Sequence, residues 1–314
     1  MSDLFSTNRN PEIKLFFLLA ATLLFFLIVS LVWGAKVERD DKSVPTQVAT
    51  IPFPQIEVNA KAVYVYDVRA GTTLFAKNED VRLPLASLTK VMSAVVAEDS
   101  SPLYGTVTIS SEALMTEGDS GLFRDERWSL KDILDFSLLT SSNDGMRAVA
   151  LSLGALHRAN ATSSLIINDF VVKMNSKAGE LGLKNTYFSN ETGLDESEVK
   201  GGAYGSARDM SALFEYILLS HPELLESTRE TVATFQSIDN HLHIGKNTNS
   251  MAGEIPGLMA SKTGFTDTAG GNLVIAFDPE LGRPFIISIL GSTEQGRFED
   301  ARNLVAAVME YINN

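Results

Sequence analysis

Strand-like and helical patterns are segregated along this chain, and that ordering restricts its fold more than any other feature. "AVYVYDV" is apolar and β-branched, and "RAGTTLFAKN" follows with a glycine turn and a second short apolar run, the pattern of a hairpin. Helical spacing then takes over in "LPLASLTKVMSAVVAED", "SLKDILDFSLLTSSNDGMRAVALSLG", "SSLIINDFVVKMNSKAGELG" and "SARDMSALFEYILLS". Short strand-like runs return late, in "HLHIG", "MASKTGF", "GNLVIAFD" and "RPFIISILGS", before "RFEDARNLVAAVMEYINN" closes with a helix. Two strands, a block of helices, about three strands and a final helix predict an α+β domain over residues 56–314, with its two ends on one sheet.

What precedes that domain is of another kind. Leu15 to Ala35 carries no charge over about 21 residues, long enough at helical rise to span a hydrocarbon core. It predicts a transmembrane anchor at 15–35 after a short tail at 1–14. A cleavable signal peptide has a shorter apolar region and a clearer small-residue site than Val32 and Gly34 provide. Residues 36–55 are charged and then broken by Pro45, Pro52 and Pro54, and read as a linker. The formal net charge of -13, with no basic cluster, argues against a nucleic-acid partner. The absence of cysteine excludes disulfides, thiolate metal sites and a cysteine nucleophile.

The chemistry begins at Ser87 and Lys90. Leu88, Val91, Met92, Val95 and Val96 form an apolar helical stripe, so Ser87 falls in the first turn, where free N–H groups collect. Residues three apart share a face. A buried Lys90 would lose its proton and could deprotonate the Ser87 hydroxyl. The spacing alone arises about once by chance in a chain of this size, and "SEVK", Ser197 to Lys200, repeats it ahead of "GGAYG", which cannot continue a helix. Two further motifs add weight. "TSSNDG" holds Ser141 and Asn143, able to aim a hydroxyl and an amide into one cleft, though a helix-connecting turn reads the same way. "SKTGF" holds Lys262, Thr263 and Gly264, a cation and a hydroxyl suited to a carboxylate beside a residue that admits close backbone approach.

Together these motifs resemble the penicillin-recognising serine hydrolases, whose pattern is S-x-x-K, S-D-N and K-T-G. "YDVRAGTTLFAKNEDVRLPLASLTK", "LLTSSNDG", "MNSKAGELGLKNTYFSNETGLD", "SARDM" and "KTGFTDTAGGNL" are similar to segments of the D-alanyl-D-alanine carboxypeptidases, the low-molecular-mass penicillin-binding proteins. The resemblance implies a β-lactamase/transpeptidase-like fold, an antiparallel sheet flanked by helices with a mostly helical subdomain. It implies no cofactor and no metal, a peptidoglycan stem peptide ending in D-Ala-D-Ala as substrate, and β-lactams as covalent inhibitors. By the same resemblance Ser87 is the nucleophile, Lys90 its base and Ser141 a proton relay. Asn143 binds the substrate backbone, while Lys262 and Thr263, with Gly264, bind the terminal carboxylate. The positive field of Lys262 helps to keep Lys90 neutral, and the backbone N–H groups of Ser87 and Phe265 form the oxyanion hole.

Two departures accompany the match: "SSN" at the second motif, and "PGLMASKTG" where the family usually has "DGLKTG". Many relatives add a C-terminal β-domain and an anchoring helix; here the 15–35 span is expected to anchor a single-pass protein with its catalytic domain outside the cytoplasm. A D,D-endopeptidase uses the same catalytic parts. A β-lactamase of class A would need a Glu-x-x-Leu-Asn segment that does not occur between Asn143 and Lys262, and a non-catalytic sensor would not need both nucleophile and base. Elsewhere the bland readings prevail. His241 and His243 lack a third ligand pattern for a metal, "NET" and "NAT" are chance sequons, and Asp209 and Glu180 read as helix charges.

Overall fold

The computed structural model describes residues 52–155 and 161–314. The tail, the 15–35 span and most of the 36–55 linker lie outside them. Among the described residues no helix is long and apolar enough to cross a membrane.

The first and last strands of the described residues meet inside one sheet. Strands β1 (Ala62–Asp67) and β2 (Thr72–Lys77) form the expected hairpin, closed through Gly71 at a φ of 66°. β1 also pairs antiparallel with the last strand of the chain, Ala62 opposite Leu290 through Asp67 opposite Phe285. Between them lie β3 (Leu83–Pro84), β4 (Thr106–Thr108), β5 (Arg127–Ser129), β6 (Tyr187–Phe188), β7 (Ala203–Gly205), β8 (Val232–Gln236) and β9 (Leu242–Lys246), all in small two- or three-stranded pairings. β10 (Leu258–Thr266), β11 (Gly270–Phe277) and β12 (Phe285–Ser292) complete the main sheet, whose order is β10-β11-β12-β1-β2. "HLHIG" therefore pairs with β8 in a separate hairpin and does not join the late strands beside it in sequence.

Both faces of this sheet are covered, so its central strands are apolar throughout instead of alternating with polar residues. Successive side chains point to opposite faces. Ala62, Tyr64, Val274, Ala276, Ile286 and Leu290 join the larger core with the helical block. Val63, Val65, Ile275, Phe277, Ile287 and Ile289 join a smaller core closed by the final helix.

Six α-helices occur among the described residues: α1 (Thr89–Ser100), α2 (Leu130–Thr140), α3 (Asn143–Ala155), α4 (Ser163–Glu180), α5 (Ala207–Ser220) and α6 (Gly296–Asn313). α1 is buried from Thr89 through Ala97, well beyond the one-sided stripe predicted for it. A helix sealed on all sides carries any polar group into a dry interior. The stretch "SLKDILDFSLLTSSNDGMRAVALSLG" becomes two helices because Ser141 adopts a left-handed φ of 62° between them. α2 and α5 each start on a serine cap, Ser129 and Ser206, accepting from the N–H groups of Asp132 and Asp209. Asp209 is buried and also accepts from Asn185 N and Thr186 Oγ1 at 2.8 Å each, so it ties α5 to a loop.

Candidate active site

Ser87 sits in a 3-10 turn, Ala86–Leu88, immediately before α1. Ala86 takes a left-handed φ of 48°, and side chains from a distant strand and from the helix's first residue hold the bend. Asn272 Nδ2 donates to Pro84 O at 3.0 Å and Leu85 O at 3.1 Å, while Thr89 Oγ1 donates to Ala86 O at 2.7 Å. Neighbouring backbones come so close that side chains are excluded. A Cβ on Gly193, whose φ is +82°, would lie 1.9 Å from Ala86 O, and one on Gly264 would lie 2.8 Å from Leu85 O and 3.2 Å from Ser87 N. Gly264 thus lets edge strand β10 pass directly against the Ser87 backbone.

Lys90 is 0% exposed, and its Nζ meets Ser87 Oγ at 2.9 Å, Asn143 Oδ1 at 2.6 Å and Thr192 O at 2.7 Å. Burial lowers its pKa from 10.5 to about 7, against the opposing fields of Glu191 and Asp144. The three partners are not equivalent. The amide oxygen of Asn143 and the carbonyl of Thr192 can only accept. A neutral amine has two hydrogens and one lone pair, so both hydrogens go to those acceptors and the lone pair faces the Ser87 hydroxyl. In its charged form Lys90 donates to all three partners, and in its neutral form it can accept from Ser87.

Lys262 lies on β10, buried as deeply, and donates to Ser141 Oγ at 2.9 Å and to Thr263 O at 2.9 Å. Its pKa is held well below the usual lysine value by burial first, then by the charges of Lys90 and Arg297. Burial is the first cause at both lysines, and repulsion between two charged amines is mutual, so protonation of either disfavours protonation of the other. Ser141 is held from the third motif and Asn143 from the first, and Asn143 Nδ2 also donates to Glu117 O at 2.8 Å. Thr263 Oγ1 lies 2.6 Å from Thr248 Oγ1. Ser87, Asn143 and Phe265 line one cleft of about 500 Å³, with Gly193, Leu194, Thr266 and Thr268. Four carboxylates, Glu117, Asp195, Glu198 and Asp267, also line it.

All eight residues singled out in the sequence fall on these three converging segments. Several partners gave no local signal. Thr192 and Glu191 belong to the "NET" triplet read as a chance sequon; Glu191 is fully buried, and Arg147 Nε lies 2.9 Å from its Oε1, out of hydrogen-bonding alignment. Burial raises the Glu191 pKa, opposed by Arg147. The side chain of Ser142, in place of the motif's usual aspartate, bonds to Asp144 and accepts from Gly145 N at 2.9 Å. Ser197 and Lys200 form a tight turn whose lysine pairs with Glu196. His243 is buried with Nε2 2.8 Å from Glu126 Oε1, and His241 is exposed. Among the described residues one cluster has metal-ligating character, Glu98, His221 and Glu223, and none of its members lines the cleft.

Known proteins are similar to this chain in sequence and in fold. The family model described as D-alanyl-D-alanine carboxypeptidase matches residues 46–293. The D-alanyl-D-alanine carboxypeptidase DacF of Bacillus subtilis is 31% identical over 221 residues, 67% of this chain and 52% of that protein, so the chain spans about half of its length. A D-alanyl-D-alanine endopeptidase of Pseudomonas aeruginosa is 31% identical over 255 residues, 79% of this chain and 76% of that protein. Among solved structures, penicillin-binding protein D2 of Listeria monocytogenes in its ampicillin-bound form is similar with a TM-score of 0.64 and 27% identity, covering 81% of this chain and 98% of that one.

Proposed function

The chain belongs to the D-alanyl-D-alanine carboxypeptidase family of serine peptidases, and on that premise we propose that it removes the terminal D-alanine from peptidoglycan stem peptides. The observation that carries this reading is the buried Lys90 Nζ 2.9 Å from Ser87 Oγ, with two other partners that can only accept, so that a neutral amine turns its lone pair toward Ser87.

Ser87 Oγ attacks the carbonyl carbon between the two terminal D-alanines, and its proton passes to Lys90 Nζ. The carbonyl oxygen becomes an oxyanion received by the N–H groups of Ser87 and Phe265. As the C–N bond breaks, Ser141 relays that proton from Lys90 to the departing amine, which leaves Lys90 neutral again, and free D-alanine leaves. Asn143 holds the backbone of the remaining peptide. Lys262 and Thr263 receive the terminal carboxylate where Gly264 keeps the strand close. Water then attacks the acyl-enzyme, gives a proton to Lys90, and restores the Ser87 hydroxyl. In a penicillin the amine released by ring opening stays attached, which impedes water and leaves a lasting adduct. Ampicillin is bound by the Listeria relative. The 15–35 span anchors the enzyme in the membrane with this domain outside the cytoplasm.

A second reading, cleavage of peptidoglycan cross-links, is favoured by the endopeptidase relative, which is as similar as the carboxypeptidase one. The test uses the full chain with a fluorescent penicillin, intact mass and peptide mapping, then a stem pentapeptide and a cross-linked muropeptide dimer. An adduct on Ser87 with D-alanine released from the pentapeptide supports the carboxypeptidase, and cleavage of the dimer alone supports the endopeptidase. No adduct on Ser87 overturns both.

A further inference from the structure

Arg297, in the first turn of α6, lies 7% exposed beneath the third motif. Its NH1 donates to Gly264 O at 2.7 Å, and its Cζ sits 4.7 Å from the Phe298 ring centroid and 6.0 Å from that of Phe265. Its Nε is buried without a partner. Removing a guanidinium from water costs several kcal/mol by order of magnitude, a cost usually offset by a carboxylate. Here the hydrogen-bond acceptor is a backbone carbonyl, and the field of the Glu294 carboxylate opposes the cost of burial without cancelling it. Such an arrangement does more than satisfy one oxygen.

Gly264 O and Phe265 N–H are the two ends of one peptide unit. The unit is planar and trans, so its C=O and N–H point in opposite directions. A cation gripping the oxygen fixes the plane, and it also draws electron density from the amide nitrogen, making the N–H a stronger donor. We propose that Arg297 is a positioning residue for the oxyanion hole, acting through Gly264 O to orient and polarise the Phe265 N–H. The inference rests on the proposed role of Phe265 in the acyl-transfer reading and adds to it a residue that no motif contains.

Wild type, Arg297→Met and Arg297→Lys are compared as full chains by stopped-flow acylation with a fluorescent penicillin, by deacylation followed by mass, and by infrared difference spectra of an acyl-enzyme carrying a ¹³C-labelled carbonyl. Acylation and deacylation share one oxyanion hole. Both rate constants are expected to fall in Arg297→Met on the order of 10²-fold, the scale for loss of an oxyanion donor. The acyl carbonyl band is expected to move to higher wavenumber, while noncovalent affinity holds. Arg297→Lys, which keeps charge and one donor, should recover part of each effect. Wild-type rates and an unshifted band in Arg297→Met overturn the role, as does a loss confined to affinity, which would make Arg297 a substrate ligand. If Arg297→Met loses its cooperative unfolding transition, Arg297→Lys decides: an intermediate band position upholds the role, an unshifted band rejects it. No Ser87 adduct in the unaltered chain would remove the acyl-transfer reading and this inference together. Normal wild-type acylation with an indifferent Arg297→Met removes only the inference.

Discussion

The chain contains the same four-residue spacing at two places on one cleft, and only one of them buries its amine. Ser87 and Ser197 both line the cavity. Lys90 is sealed inside α1, with its pKa lowered to about 7. Lys200 has a side chain 57% exposed, ion-paired with Glu196, and its pKa is raised chiefly by that partner. Spacing brings a hydroxyl and an amine onto one face; the surroundings decide whether the amine carries a proton. An acidic neighbour in water stabilises the ammonium, and a dry helix interior does the opposite.

The sharpest way to break this contrast is to exchange the serines' fates. Ser87→Ala and Lys90→Ala should each abolish penicillin acylation, a loss of at least about 10³-fold in rate, while Ser197→Ala and Lys200→Ala keep the adduct on Ser87. An adduct mapped to Ser197 would end the distinction. Next in size is the pH dependence. If Lys90 must be neutral, acylation should climb tenfold per pH unit below about 7 and level off above it. Stability carries the same signature. Unfolding returns Lys90 to the ordinary value of 10.5, so between about 7 and 10.5 the unfolded chain holds a proton that the folded one has released, and stability rises with pH across that window. Lys200→Met should move neither curve.

Glu191→Gln sharpens the comparison from the other side. The field of Glu191 opposes the lowering at Lys90, so its removal should shift the acid limb of the acylation profile toward lower pH. A shift toward higher pH would contradict that sign. The smallest effect is expected at Thr248→Val, which takes from Thr263 its 2.6 Å hydroxyl partner. A hydrogen bond of this kind contributes about 1 kcal/mol, and the loss should appear as a several-fold weaker KM for the pentapeptide with kcat little changed.

The site was legible where chemistry is local and illegible where it is supplied from a distance. Ser87 and Lys90, Ser141 and Asn143, and Lys262 through Gly264 each lie within a few residues of sequence, and each segment carries a pattern. Thr192 serves Lys90 through a carbonyl that every residue possesses. Asn272 clamps the nucleophile's turn from 187 residues away, and Arg297 reaches Gly264 from 33 residues away. No spacing rule links such pairs. The break at Ser141 was half legible: "TSSNDG" interrupts the apolar period as a helix-connecting turn would, but nothing in it marks Ser141 as the residue whose backbone reverses hand. The ordering of strands and helices was readable because the sheet is covered on both faces, which makes its strands long apolar runs.

The sheet order also sets a timetable. β1 can find β12 only after about 220 further residues have been made, and the β10 strand that faces Ser87 is nearly as late. Contacts so distant in sequence form slowly. A ribosome that has just released Ser87 and Lys90 has produced a serine and a lysine of ordinary reactivity, because the dry enclosure and the opposing strand do not yet exist. On the proposed function, reactivity of Ser87 toward penicillin therefore has to wait until β10 has been made and docked.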